Sequence, residues 1–447
     1  SVLYVIEASQ HDPNTIWAGS NDGPVHVTSD GGATWTDVTP PEMPPEGRIN
    51  AIHISDHDPD KVYVAGYRDL LGDHSPYIYR TEDGGGSWTL LTPGDNGIPG
   101  DHVTRVVRED SEREGLLFAG TEFGMFVSFD DGASWQPFQQ NLPVTPVSDL
   151  HVNEGDLVVS TMGRSFWIMD DISPLRQIDE ADDVRTAHLY RPRDAYRTRG
   201  GGGGYGFGAR PALRPEYPES GVILDYYLAE APDEDITLEI LDAGGDVLQS
   251  WESTGAGRSS EEAQEMRGPY QRFRGSRRPS ADQGMNRFLW DLSTELPDAP
   301  TGPTAVPGEY TARLKVAGET YEQPFRVMID PRVAADGVTV ADLEAQYELA
   351  ADVLRLMAEA QETARTVNDR LEQAREVGDE AEAERLDALR LELETKEGGS
   401  YQTPMLLSQI QYLYGMIARA DQPPGDDAYD RYEELRSALN EVREAIR

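Results

Sequence analysis

An eight-residue turn occurs three times in the first part of the chain, and this repeat limits the fold more than any other feature. The copies are TSDGGATW (residues 28–35), TEDGGGSW (81–88) and SFDDGASW (128–135). In each copy the aspartate can accept hydrogen bonds from backbone amides, and glycine can adopt the positive φ of a tight bend. The three tryptophans are roughly 50 residues apart, which is the spacing of propeller blades and similar repeat units. The sequence therefore predicts a fold built from repeated β units.

The residues of these turns are predicted to be structural rather than catalytic. Aspartate and hydroxyl groups satisfy the amides of the hairpin, and the indole packs between neighbouring sheets. This interpretation covers Asp30, Trp35, Asp83, Trp88, Asp130 and Trp135.

Each turn belongs to a longer unit of four predicted strands. The segment 62–88, for example, contains a hydrophobic strand, a link, a second strand and the turn, and INAIHIS (49–55) precedes it. A fourth unit, LVVSTMGRSFWIMDD (157–171), keeps the strands and loses the turn. Four strands per unit, repeated radially, form a β-propeller blade, so residues 1–176 are predicted to be propeller blades in a partial ring.

These turns resemble the Asp-box, or BNR, repeats of sialidases, xyloglucanase-type glycoside hydrolases, photosystem assembly factors and sortilin. The whole chain is similar to the C-terminal part of large secreted bacterial proteins described as sortilin-like or as glycosyl hydrolases with BNR repeats. Their final blade ends in GRSFWILDDLSPLR, and residues 163–176 here read GRSFWIMDDISPLR. The resemblance implies a fold and leaves the activity open. Relatives commonly have a histidine where this chain has Met162, so no role of that histidine is carried over.

The resemblance also implies that further blades precede Ser1, which lies within a predicted strand. An open arc of blades exposes sheet edges that folded proteins cover or pair. We therefore expect the missing N-terminal propeller segment, or a second chain, to close the propeller.

The rest of the chain divides into three predicted segments, so the fold class is mainly β with an α-helical C-terminus. Residues 177–217 form a linker whose five-glycine run (200–204) lacks the strand, helix and Lys-Ser/Thr of a phosphate-binding loop. Residues 218–331 contain several predicted strands that are joined by short turns. Their order predicts an immunoglobulin-like β-sandwich. Residues 339–447 have the periodicity of a helical bundle. Its core is predicted to include Met405, Tyr412, Tyr414 and Met416.

The formal net charge of -42 disfavours nucleic acid and anionic membranes as partners. No apolar run of about 18 residues exists that could span a bilayer.

The carboxylates are spread along the chain and only three lysines occur, which favours a protein adapted to high salt; an acidic extracellular protein is the alternative. The resemblance to secreted bacterial proteins implies a secreted, periplasmic or cell-surface location. An insertion with five arginines (266–280) is interpreted as docking on the protein's own acidic surface, with binding of an anionic glycan or nucleic acid as the alternative.

Several kinds of active site are excluded or disfavoured. The chain contains no cysteine, and it has neither the G-x-S-x-G nor the H-E-x-x-H motif. No metal site or cofactor is therefore predicted. Binding of calcium at the acidic turns is the alternative, but no specific motif indicates it, because no EF-hand loop occurs. His11 and His57 lie in equivalent HDP tripeptides, each before a predicted strand. They are interpreted as a recurring feature of the repeat and not as metal ligands.

Loops on the propeller face opposite the Asp-box turns are the candidate ligand site. Aromatic, arginine and carboxylate groups together suit the recognition of sugars or peptides, although ordinary solvated loops have the same mixture. The candidate residues are Glu42, Tyr67, Arg68, Asp69, Asp73, His74 and Asp101. In the final blade, Arg164 and Trp167 either line the channel, or Trp167 fills the core while the two following aspartates turn the chain outward.

Two functions follow from these observations. The first is binding of a peptide, protein or polysaccharide by an extracytoplasmic, sortilin-like propeller. The alternative is a glycoside hydrolase, which needs two carboxylates about 5 Å or 6.5–9.5 Å apart, one of them with a raised pKa. The set of three arginines and a nucleophilic tyrosine that a sialidase needs cannot be identified.

Overall fold

The computed structural model describes residues 2–178, 186–198, 220–253, 278–299, 301–395 and 403–446. The chain forms two compact units, 1–178 and 179–447. The glycine-rich run and Arg267, Arg272, Arg274 and Arg277 of the arginine-rich insertion lie outside the described residues.

The first unit consists of four consecutive antiparallel sheets, called sheets 1 to 4 here. Sheet 1 contains β1 (Leu3–Ala8), β2 (Ile16–Ser20), β3 (Val25–Thr28) and β4 (Thr36–Asp37). Sheet 2 contains β5 (Arg48–Ile54), β6 (Val62–Arg68), β7 (Asp73–Thr81) and β8 (Thr89–Leu90). Sheet 3 contains β9 (Thr104–Glu109), β10 (Leu117–Thr121), β11 (Gly124–Ser128) and β12 (Gln136–Pro137). Sheet 4 contains β13 (Val147–Asn153), β14 (Asp156–Thr161) and β15 (Phe166–Met169), followed by α1 (Ser173–Arg176).

In every sheet each strand pairs with the next one along the chain, and the first strands of successive sheets contact one another. This is the arrangement of propeller blades, and it supports the β-propeller prediction. Sheet 4 has three strands, as expected for the unit that lost its turn.

In sheets 1 and 3 a glycine at the last position but one of the second strand allows the next sheet to approach closely. A Cβ atom on Gly19 would lie 2.5 Å from Ile49 of the next sheet, and one on Gly120 would lie 2.7 Å from Val147.

The HDP tripeptides also join neighbouring sheets. The Nε2 atom of His11 lies 2.9 Å from the carbonyl oxygen of Ser55, and Nε2 of His57 lies 2.9 Å from that of Asp110.

The second unit begins with two sheets that share one apolar core. One sheet has the order β16-β18-β21, and the other has the order β17-β23-β22-β19-β20. The strands are β16 (Ala187–Leu189), β17 (Ala195–Arg197), β18 (Val222–Leu228), β19 (Thr237–Leu241), β20 (Val247–Glu252), β21 (Gly284–Trp290), β22 (Gly308–Val316) and β23 (Glu319–Ile329). Strands β16 and β17 lie within the predicted linker 177–217, and the structure instead pairs them with β18 and β23. Three-residue strands are too short to produce a visible alternation in the sequence.

The C-terminal part of this unit is helical. Its helices are α2 (Pro331–Ala335), α3 (Val340–Val377), α4 (Glu380–Leu393), α5 (Leu406–Ile417) and α6 (Asp426–Ile446). Helix α3 begins with a capping box between Thr339 and Asp342, and α3 to α6 share an apolar core. The core prediction was wrong for Tyr412 and Met416, which expose 70% and 48% of their surface on the outer side of α5.

Candidate functional site

The loop between β6 and β7 brings an arginine, an aspartate and a tyrosine together. A 3₁₀ turn (Asp69–Leu71) ends at Gly72, whose left-handed backbone returns the chain into β7. The Arg68 guanidinium then lies 3.0 Å from Asp73 Oδ2, to which the Tyr77 hydroxyl donates at 2.8 Å. Burial opposes ionisation of Asp73, but hydrogen bonds from Tyr77 and Ser75 and the charge of Arg68 outweigh it and lower its pKa. Asp73 is therefore a fixed anion that orients Arg68.

Beside this loop, two tyrosines and two arginines from three sheets alternate in an arginine–tyrosine stack. The Arg48 guanidinium carbon lies 4.6 Å from the centre of the Tyr4 ring and 5.4 Å from that of Tyr67. On the other side, the Arg105 guanidinium carbon lies 4.6 Å from the centre of the Tyr67 ring. Arg48 also donates a hydrogen bond of 2.7 Å to the Tyr67 hydroxyl. These distances are those of cation–π contacts, which hold the two guanidinium groups beside the tyrosine rings.

A β-bulge in the first strand places two members of the stack. The pairing between first and second strands skips one residue in all four sheets, at Tyr4, Asn50, Arg105 and Ser148. A bulge bends its strand and redirects the extra side chain. Asn50 uses this position to donate to the Arg105 carbonyl at 2.7 Å, which links two bulges.

The two arginines of the stack differ in their partners. Arg105 forms a salt bridge with Glu122 and lies 4.0 Å from Asp69. Arg48 is half-buried, and no carboxylate among the described residues pairs with it; its partners are the two tyrosines. In a protein of net charge -42, Arg48 thus keeps a guanidinium charge that no described carboxylate neutralises.

The other predicted site residues do not join the stack. Glu42 and His74 are exposed, and Asp101 is exposed with its carboxylate 3.0 Å from Nδ1 of His102, which lowers the pKa of Asp101. In sheet 4, Trp167 packs against the apolar core and donates to the Arg164 carbonyl at 2.8 Å.

The Asp-box aspartates have their acceptor atoms occupied. Asp30 accepts from the Thr34 amide at 2.9 Å and from the hydroxyls of Thr34 and Thr28 at 2.7 Å and 2.8 Å. These bonds lower the pKa of Asp30 to about 2. Asp83 and Asp130 make the same set of bonds. Such groups are suited to holding a turn and unsuited to proton transfer.

A second cluster lies on the first strands, and sequence reasoning missed it. Burial raises the pKa of Glu7 on β1; the charge of Arg108 opposes this shift, and that of Asp149 adds to it. Arg108 donates to the Asp149 carboxylate at 3.0 Å and to the Leu150 carbonyl at 3.1 Å. Burial, with the charge of Arg108, lowers the pKa of His53 to about 3, so this imidazole is neutral at pH 7. No motif marks these residues, because each comes from a different strand.

Among known proteins, only solved structures show a similarity to this chain. No protein-family model and no curated protein matches the chain. The solved structures include YCF48 from Cyanidioschyzon merolae, with 21% identity, 39% of this chain and 54% of that chain covered, and a TM-score of 0.28. They also include the GH74 xyloglucanase from Xanthomonas campestris, with 12% identity, coverage of 72% and 46%, and a TM-score of 0.30. The chain thus spans about half the length of these proteins, and similarity at this level carries no argument about activity.

The described residues contain neither a membrane-spanning helix nor a metal-binding cluster of side chains. No helix in the described ranges combines the length and apolarity needed to cross a membrane. Within the same residues, no three histidine or acidic side chains are grouped so as to hold a metal ion.

Proposed function

We propose that the chain is an extracytoplasmic propeller protein of the Asp-box, sortilin-like group whose first unit binds a peptide, protein or polysaccharide ligand at the arginine–tyrosine stack. The observation that supports this proposal is Arg48, which two tyrosines hold and no described carboxylate neutralises. The second unit combines an immunoglobulin-like sandwich with a helical bundle as accessory modules. The dispersed negative charge suits a secreted, periplasmic or cell-surface protein in high salt.

The stack offers two kinds of contact to such a ligand. The free edge of the Arg48 guanidinium supplies planar donors for a carboxylate, carbonyl or sugar hydroxyl. Tyr67 is 5% exposed and accepts a hydrogen bond from Arg48, so its role is to hold the Arg48 guanidinium in place. The exposed ring of Tyr4 supplies an apolar surface. Arg68 and Asp73 hold the adjacent loop in place.

Replacement of Arg48 by alanine is expected to weaken ligand binding by about tenfold or more, because a hydrogen bond to a charged group contributes about 1.5–3 kcal/mol. The measurement is binding of wild type and R48A to arrays of immobilised peptides and polysaccharides in high salt, followed by titration calorimetry on the ligands retained. The matched control is Arg326→Ala, which removes an exposed arginine of the second unit. Equal affinity of wild type and R48A for every retained ligand would place the site elsewhere.

Glu7 supports glycoside hydrolysis as a second candidate function. Burial raises the pKa of Glu7, which is the direction that a general acid requires; Asp149, whose charge adds to that shift, is the candidate second carboxylate. We expect Glu7→Gln to abolish release of reducing ends from polysaccharides while leaving their binding unchanged. In wild type the rate should fall as pH rises through the raised pKa, because the acid form is then lost. If wild type releases no reducing ends from any polysaccharide that it binds, the hydrolase candidate is rejected.

A further inference from the structure

The outer side of helix α5 is an uncharged surface on an acidic bundle. Helices α3, α4 and α6 each carry exposed carboxylates, whereas α5 contains no charged residue. Tyr412 and Met416 are 70% and 48% exposed on this side. An apolar patch bordered by polar groups marks an interaction site on a soluble protein. Here it forms a shallow groove that is lined by Ser408, Gln411, Tyr412, Gly415, Met416 and Arg419.

Gly415 has no structural role within the described part of the chain. It lies inside α5, where glycine destabilises a helix relative to alanine. Elsewhere in the protein a glycine lets another segment approach, as Gly120 does for Val147. A Cβ atom on Gly415 would meet no atom within 4 Å, so no described segment uses this space. The missing side chain therefore leaves a hole on the outer side of α5, one turn from the exposed ring of Tyr412.

Tyr412 and the hole at Gly415 make this side of α5 complementary to itself. Ser408, Tyr412, Gly415 and Arg419 follow one another at intervals of four, three and four residues, so they form one stripe along the helix. If two copies of the helix cross antiparallel about a two-fold axis, the stripe of one copy meets the same stripe reversed. Tyr412 of each copy then enters the hole at Gly415 of the other, and Arg419 faces Ser408.

The charges at the two ends of the stripe are also complementary. Arg419 is exposed at the C-terminal end, and no carboxylate among the described residues pairs with it. At the other end, the Ser408 hydroxyl lies 2.9 Å from that of Thr395, which follows Glu394 at the end of α4. The Glu394 carboxylate is 33% exposed and lies 3.9 Å from the Arg390 guanidinium, so it is only loosely paired. In the antiparallel arrangement Arg419 of each copy meets this acidic end of the other.

We infer that the outer side of α5 is a docking surface for the same helix of a second copy of this chain, in an antiparallel pair. A second copy fits this surface because the stripe complements itself in both shape and charge. Two chains of net charge -42 can also meet here without bringing carboxylates face to face. One helix from each copy is a small interface, so the dimer should form reversibly. This inference concerns the second unit and does not rest on the ligand proposal.

The test is the mass of the full chain in solution, measured by sedimentation velocity over a wide range of protein concentration in high salt, which screens the repulsion between copies. Wild type should change from monomer to dimer as its concentration rises. Gly415→Leu should weaken this association by at least about tenfold, because its side chain fills the hole that Tyr412 enters. The thermal midpoint of this variant should stay the same or rise, since leucine is the better helix former and its Cβ atom meets no other atom.

Two tyrosine variants separate this surface from other exposed aromatic positions of the bundle. Tyr412→Ala should weaken the association as Gly415→Leu does, because the ring that fills the hole is then absent. The matched control is Tyr429→Ala on α6, which removes a tyrosine that is 41% exposed away from the groove. The control should dimerise like wild type.

The orientation of the two helices can be tested by disulfide formation, because the chain contains no cysteine. In the antiparallel arrangement Gln411 of one copy faces Met416 of the other. A mixture of Gln411→Cys and Met416→Cys should therefore give a disulfide-linked dimer under oxidising conditions, whereas either variant alone should give little.

Three outcomes would overturn the inference. The first is a wild type that stays monomeric at every concentration, and the second is a dimer that Gly415→Leu and Tyr412→Ala leave intact. In either case a second copy does not occupy this side of α5. The third is efficient cross-linking of Gln411→Cys with itself, which would mean that the helices do not run antiparallel.

Discussion

Replacement of Trp135 by alanine is expected to lower the free energy of unfolding of the first unit by roughly 3–5 kcal/mol. The indole is 3% exposed, belongs to the apolar core of sheets 2 to 4, and donates to the Leu91 carbonyl. Gly97 packs against the backbone of the same turn, where a Cβ atom on it would lie 1.9 Å from the Trp135 carbonyl. Truncation therefore leaves a cavity, and the Leu91 carbonyl keeps only its hydrogen bond from Asn96 Nδ2 at 2.9 Å.

The matched control is Trp35→Ala, for which we expect almost no change, because Trp35 is 45% exposed. Both variants lose the same side chain from the same turn, so intrinsic effects on the turn cancel. The measurement is the shift in denaturation midpoint, followed by tryptophan fluorescence and near-UV circular dichroism in high salt. Similar shifts for both variants would show that the indole acts within its own turn and not between sheets.

The repeated sheets could be predicted from sequence because the contacts that define them are local. In each Asp-box turn the aspartate bonds to a hydroxyl two residues before it and to an amide and a hydroxyl four residues after it. Such a set of bonds requires particular residue types at fixed offsets. Because the set occurs three times, the pattern can be recognised in the sequence. What faces each indole depends on another sheet, so the difference between Trp35 and Trp135 could not be read from identical motifs.

The candidate site could be predicted only in part, for the same reason. Tyr67, Arg68, Asp69 and Asp73 are close along the chain, at the end of β6, in the turn that follows it and at the start of β7, so the sequence alone grouped them. The arginine–tyrosine stack adds Tyr4, Arg48 and Arg105 from three first strands. Two of these positions depend on a β-bulge, which shifts a side chain by one residue relative to the alternation of a regular strand. No property of a single strand shows that shift.

Helix α5 shows where composition misled the prediction. Its sequence LLSQIQYLYGMI contains no charged residue, so both sides look like core. Only Leu406, Ile410, Leu413 and Ile417 are buried, because one side of the helix meets the bundle. A short helix that is apolar on all sides does not indicate which side packs.

The largest electrostatic effect is expected in the second unit, where Arg197 of β17 meets Asp421 beyond the end of α5. The guanidinium lies 3.1 Å from the carboxylate, and the two side chains are 5% and 3% exposed. Gln346 of α3 extends the contact by donating to the carbonyls of Ile417 and Ala420 at 2.8 Å and 2.6 Å. Arg197→Met is expected to lower the free energy of unfolding by roughly 3–5 kcal/mol, because the buried Asp421 carboxylate loses the guanidinium that lies 3.1 Å from it.

The double variant Arg197→Met/Asp421→Leu tests whether the ion pair stabilises the fold on balance, or whether its attraction only offsets the cost of burying two charges. Desolvation of two charges offsets most of their attraction, so we expect the double variant to recover much of the stability lost by R197M alone. The control pair is Arg365 and Glu362, which are 71% and 67% exposed; Arg365→Ala should change stability by about 1 kcal/mol or less. The measurement is the shift in thermal midpoint of each variant in high salt. If R197M and the control shift it equally, the pair is not isolated from solvent and does not hold β17 against the helices.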